Sequence, residues 1–148
     1  MPNLEDLSTQ ALRDFVGNKA LGNALVAEGT NSATIKTTNA VDYQINGQIY
    51  TKAATDNIAM TACATQANGT TCYYLVSIKA DGTVVTTKGV DGSALLPEVP
   101  ANQAPLAAFK VVASAAFTSG TTDLGSQETW AQVAVLPAGR DASLLTFA

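Results

Sequence analysis

The sequence predicts a mainly β domain, an antiparallel β-sandwich or barrel-like fold, preceded by a short N-terminal α-helix. Three observations lead there. Apolar residues recur at three- and four-residue steps before Gly17, the chain after Gly29 alternates Thr with apolar residues, and Asn-Gly and Asp-Gly steps punctuate those alternating runs. On that reading residues 1–29 are an N-terminal helical arm and residues 30–148 the β-rich domain, and 148 residues suit a single core.

In the first segment Leu4, Leu7, Ala11, Leu12, Phe15 and Val16 form one helical stripe. Asn3 can cap it, and Glu5 with Asp6 lie in the first turn, where the positive end of the helix dipole favours them. Gly17 and Asn18 offer a stop, after which Leu21, Ala24, Leu25 and Val26 suit a further turn or an extended arm. The stripe either packs on the main domain or serves as an anchor or a seam between subunits.

Val41 to Ile45 and Gln48 to Lys52 flank Asn46-Gly47, the dipeptide best suited to the positive φ angles of a two-residue type I′ turn. That register sets Tyr43 opposite Tyr50. A second hairpin turns at Asp81-Gly82, bringing Val76 and Ile78 against Thr87 and Val85. Asn57 to Cys63 alternates as a strand, although its alanines also suit a helix. Leu95 to Pro105 is a three-proline connector, followed by a buried strand over Leu106 to Ala113. Ser119 to Gly125 reads as a loop, and Thr129 to Leu136 as the last strand, around Trp130, Val133 and Val135. The apolar ending Ser143 to Ala148 is expected to dock on its own domain or on a neighbour.

Composition narrows the chemistry. Only 14% of residues are charged, well below the ~25% of ordinary soluble proteins, so the exterior must be largely neutral Thr, Asn, Gln and Ser. Such a surface suits a protein covered by partners. Without a single His, the commonest general base, metal ligand and nucleophile activator is missing, which disfavours most hydrolase chemistry. A net charge of −4 with no basic cluster argues against nucleic acid as a partner. No apolar run reaches the length of a membrane span, and the acidic N-terminus lacks the pattern of a secretory signal, so the expected product is soluble and made in a cytosol.

Cys63 and Cys72 are too few for a zinc site, and no metal or other cofactor is expected. One register sets the two cysteines opposite each other, where a disulfide would need an oxidising environment; a reducing one predicts free thiols. Asn68-Gly69-Thr70 matches a glycosylation acceptor but is read here as a turn. The carboxylates are scattered near turns and strand ends, and no pair stands out for glycoside hydrolysis. Tyr43, Tyr50, Tyr73, Tyr74 and Trp130 could line a sugar-binding face, with core packing the simpler role. Tyr73 and Tyr74 must point to opposite faces of their strand. No phosphate-binding glycine loop, nucleophile elbow or calcium loop occurs, and no catalytic residue is identified.

Over about two thirds of its length the chain resembles small tailed-phage virion proteins described as head decoration, cement or head-fibre-like proteins. The phrases that carry the likeness are Tyr43 to Ile58, Tyr74 to Ile78 with Asp81 to Val84, Leu95-Leu96-Pro97 through Pro105-Leu106-Ala107, and Phe117 to Leu124. The resemblance implies a β-rich homotrimer on the outer capsid surface, seated on the major capsid protein where capsomers meet. It implies a non-enzymatic protein made in the host cytoplasm and carried on the virion. A fibre-tip or receptor module holding host glycans is the alternative. The resemblance carries over no contact residue, so the candidate interaction residues come from the two apolar ends: Leu4, Leu7, Leu12 and Phe15 on the helical stripe, and Leu144, Leu145 and Phe147 in the tail.

Overall fold

The computed structural model describes residues 17–125, 127–132 and 142–148. Among the described residues ten strands make three antiparallel sheets: β1 (Lys19–Ala20), β2 (Val26–Glu28), β3 (Thr34–Thr37), β4 (Val41–Ile45), β5 (Gln48–Lys52), β6 (Thr55–Ala59), β7 (Thr71–Lys79), β8 (Val84–Lys88), β9 (Gln103–Val112) and β10 (Glu128–Gln132). Their orders are β1-β4-β5, β2-β3-β6 and β10-β9-β7-β8. A 3₁₀ turn, Ala142–Leu144, precedes the last residues. The fold is mainly β, as expected, and consistent with a β-sandwich.

The long strands β7 and β9 form the spine because apolar residues fill both of their faces. On one face Cys72, Tyr74, Val76 and Ile78 join Phe109 and Val111 in a core shared with Val41, Tyr43 and Ile45 of one small sheet and Val26 and Ile35 of the other. Tyr74 stacks on Phe109 at 4.8 Å and meets the edge of Phe117 at 5.8 Å. Its hydroxyl donates to Gln66 Oε1 (3.0 Å), and Gln66 Nε2 donates in turn to the carbonyls of Thr70 and Val111, so the polar groups of Tyr74 and Gln66 are paired within this core. Tyr73 points the other way, onto Phe147, as strand alternation demands.

The first hairpin is as read. Tyr43 pairs with Tyr50, the rings stack at 5.6 Å, and Asn46 and Gly47 take φ of 50° and 80°. The second is offset by one residue: Val76 faces Thr86 and Ile78 faces Val84, where Thr87 and Val85 were expected. The turn has three residues, not two. Gly82 N–H closes on Lys79 O (3.0 Å), Gly82 takes φ 83°, and Lys79 N–H meets Thr83 O (2.9 Å), the signature of a type I turn followed by a glycine bulge.

Other expectations shift for equally local reasons. The segment after Gly17, expected as a further turn or an extended arm, is extended, with β1 paired to β4 and β2 to β3. The expected boundary at residue 29 therefore falls between paired strands. Burial selects Ala20, Ala24 and Val26 and leaves Leu21 and Leu25 exposed, a choice that helical spacing does not make. The helical stripe of Leu4, Leu7, Leu12 and Phe15 lies outside the described residues, as do Val133 and Val135. The strand expected over Asn57 to Cys63 is β6, which ends at Ala59. Thr61 then reaches β8, where Thr61 N–H donates to Thr86 Oγ1 (2.7 Å) and Thr86 N–H to Thr61 Oγ1 (3.2 Å). Cys72 consequently faces Val111, the cross-strand cysteine register does not form, and both thiols are free. The proline connector ends earlier than expected: β9 starts at Gln103 and takes Pro105 at the irregularity opposite Val76 and Ser77, where a ladder tolerates a missing N–H.

Candidate interaction surface

The tail folds onto its own domain. Ala142 N–H donates to Ala94 O (3.0 Å), and Ala148 and Trp130 exchange backbone hydrogen bonds of 2.9 and 3.0 Å along the outer side of β10. Leu145 and Phe147 pack on Leu96, Ala108, Ala142 and Tyr73. Of the three tail candidates, Leu145 and Phe147 are thus half-buried within the chain, and Leu144 alone stands out, 63% exposed.

Among the described residues six further large apolar side chains stand exposed, Leu21, Leu25, Ile49, Val90, Leu95 and Val112, of which Val90 and Ile49 are the most open. Ile49, 66% exposed, lies on β5, at the edge of its sheet, with β4 on one side and no strand from the described residues on the other. The hairpin register held this signal. With Tyr43 and Ile45 facing inward, their partners Tyr50 and Gln48 share that face, so Ile49 must point out. Val90 and Leu95 line a groove of about 260 Å³ with Leu96 and Pro97. Their exposure comes from loop geometry, which sequence alternation does not encode.

Three other edge strands, β10, β8 and β2, carry hydrogen bonds on their outer sides. Ala148 bonds to β10, Thr61 to β8, and the Gln132 side chain to Val26 of β2. The outer side of β5 is by contrast uncharged except for Lys52, whose Nζ turns onto Thr55 Oγ1 (2.9 Å). Exposed neutral edge strands are natural sites for pairing with another chain.

The chemistry-bearing groups are engaged in structure. Hydrogen bonds from the Thr30 hydroxyl and N–H hold Asp56 below the ordinary carboxylate range, and the Thr83 N–H does the same for Asp81. Asp91 is held low chiefly by Lys88, with which it forms an ion pair, and it also accepts Ala67 N–H (3.1 Å). Burial pushes the Cys72 thiol up to about 11, which keeps it protonated and a poor nucleophile at neutral pH. Burial, reinforced by nearby Glu28, raises the Glu128 carboxyl. Among the described residues no group of three or more Cys, Asp or Glu side chains is placed to hold a metal ion, and no helix is long and apolar enough to cross a membrane.

The aromatic residues do not assemble into an exposed platform. Tyr43 and Tyr74 are buried, Tyr50 is half-buried against Tyr43, and Trp130 packs on Phe109 at 4.8 Å. A groove of about 490 Å³ runs between β1 and the central sheet, lined among the described residues by Lys19, Leu21, Asn23, Leu106 and Gln132. It brings together one cation and two amides but no carboxylate from the described residues. Comparison of the chain with protein-family models, with curated proteins and with solved structures finds no match.

Proposed function

We propose that this chain is a structural virion protein, a β-sandwich that binds the outer surface of a tailed-phage capsid as an oligomer, most simply a homotrimer, and stabilises capsomer junctions. The observation that supports the reading best is the sparsely charged β exterior from which Ile49, Val90, Leu95 and Leu144 project, with β5, whose one charge is Lys52, at the edge of its sheet among the described residues. Uncharged Thr, Asn and Gln surfaces meet a partner at little desolvation cost, and repeated copies convert modest contacts into avidity. The likeness to head decoration proteins runs through the same hairpin, Tyr43 to Ile58. In this reading the major capsid protein is the partner, the virion surface the location, and no catalytic role is assigned. Leu4, Leu7, Leu12 and Phe15 join Leu144 as proposed contacts, and Leu145 with Phe147 support the tail from within.

Cosedimentation of the purified chain with capsid shells lacking it, together with its mass in solution, tests the reading. A trimer that saturates the shells at fixed stoichiometry is expected, with Ile49→Asp weakening attachment. A stable oligomer that ignores the shells would overturn it and favour host-glycan binding, which a glycan array then measures.

A further inference from the structure

Two Asn-Gly steps sit on the surface, Asn46-Gly47 at the tip of the β4–β5 hairpin and Asn68-Gly69 in the loop before β7. Both asparagines and both glycines are exposed. Next to glycine an asparagine is chemically labile, because no side chain shields its carboxamide carbon from the main-chain nitrogen that follows. Folding treats the two nitrogens differently. Gly69 N–H is tied to Ala113 O at 2.8 Å, and the 67–70 turn is closed further by Thr70 Oγ1 donating to Ala67 O at 2.6 Å. Gly47 N–H meets no acceptor among the described residues, and a Cβ built on Gly47 would find nothing within 4 Å.

We propose that Asn46 is a site of spontaneous modification, deamidation to an aspartyl residue, and that the fold protects Asn68 from the same reaction. Gly47 N attacks Asn46 Cγ, the new N–Cγ bond closes a succinimide, and Nδ2 leaves as ammonia with the proton released by Gly47. Water then opens the ring. Addition at Cγ restores the normal chain with a carboxylate side chain; addition at the main-chain carbonyl routes the chain through the side chain and lengthens the backbone by one carbon. Nothing is oxidised or reduced, and water is the only co-reactant.

Asn46 also matters to its surroundings. Its Nδ2 donates to Asn102 Oδ1 (3.0 Å), and its N–H donates to Asn18 Oδ1 (2.8 Å), so the hairpin tip is tied both to the approach to β9 and to the residue before β1. Conversion replaces the Nδ2 donor with a carboxylate, which removes the present Asn46 Nδ2–Asn102 Oδ1 bond and adds a negative charge. The lengthened product cannot keep the two-residue turn that sets Tyr43 opposite Tyr50.

The test ages the native full-length chain in warm, mildly alkaline heavy-oxygen water and maps peptides by mass spectrometry, with the urea-unfolded chain in parallel. The native chain is expected to gain acid and heavy oxygen at position 46 well before position 68, while the unfolded chain converts at both. Asn46→Gln should abolish the early conversion and leave position 68 slow. Equal native rates at both positions, faster conversion at 68, or a native chain inert at both would each overturn the assignment.

Discussion

Gln132 and Val26 pair as though they belonged to neighbouring strands: Val26 N–H donates to Gln132 Oε1 at 2.9 Å, and Gln132 Nε2 returns a bond to Val26 O at 2.8 Å. A primary amide carries the donor and acceptor of a peptide group, so one side chain occupies the outer side of β2 and joins it to β10. Val26 is 1% exposed, which leaves water little access to those backbone groups once the amide is gone. Gln132→Leu should therefore cost about 2 kcal/mol or more, the range for stranding buried polar groups. Gln132→Glu keeps the acceptor but sets an anionic oxygen against Val26 O, and should cost at least as much at neutral pH. Urea titrations read both as lower midpoints with unchanged slopes. A Leu variant as stable as the parent would show that β2 needs no partner there.

Glu128 should make the protein less stable as pH rises. Its carboxyl is raised above the ordinary value of 4.5 by burial and then by Glu28, and Oε2 is buried with no hydrogen-bond partner among the described residues. The folded state therefore holds this proton more tightly than the unfolded chain does. Below the ordinary value the group is protonated in both states and carries no penalty; the relative stability it provides is lost as pH climbs through the raised folded value. Glu128→Gln removes the charge, so it should stabilise the protein at neutral pH and match the parent in acid. Parallel denaturation curves across pH read the difference, which must grow upward from about the ordinary carboxyl value.

Asp91 has the opposite sign. Lys88 holds its carboxyl below the ordinary value of 3.8, so its contribution is complete above that value and disappears as pH falls through the lowered one. The same carboxylate receives Ala67 N–H, joining the loop after β8 to the loop before β7. Asp91→Ala strands Lys88, whose side chain is 11% exposed, and should cost about 1–3 kcal/mol at neutral pH. Asp91→Asn retains an acceptor and should cost less. Urea midpoints at neutral pH rank the two variants, and an alanine variant no weaker than the asparagine one would assign the effect to charge alone.

The local grammar of the chain was readable and its long-range pairing was not. Asn46-Gly47 permits few geometries, so the hairpin, its register and the outward face of Ile49 follow from adjacent residues. Asp81-Gly82 permits both two- and three-residue loops, and only the observed pairing of Ile78 with Val84 chooses between them. The burial of β7 and β9 was legible in their apolar runs, whereas the order β10-β9-β7-β8 depends on contacts between distant segments. Gln132 reads in sequence as an ordinary polar residue, because its work depends on where β2 lies. In the tail, the apolar pattern correctly announced docking, but half-buried Leu145 and Phe147 and exposed Leu144 are adjacent or near-adjacent residues of one type, separated only by how the 3₁₀ turn presents them.

Gly82 and Gly120 adopt nearly the same backbone, φ 83° and 80°, in different surroundings, and should respond differently to the same substitution. At both, a Cβ in the left-handed region costs about 1–2 kcal/mol. A Cβ on Gly82 meets nothing within 4 Å, so alanine there should cost that strain and little else. A Cβ on Gly120 would lie 2.9 Å from the backbone oxygen of Met60, next to Ser119, which is 1% exposed. Relief requires moving backbone against a packed core, since no flexible side chain can yield. Gly120→Ala should accordingly lower the melting temperature more than Gly82→Ala, and Gly82→Asn should be nearly neutral because asparagine tolerates this backbone region. Thermal unfolding of the three variants ranks them, and equal losses at the two alanine positions would mean that the 119–120 loop moves away from Met60 without resistance.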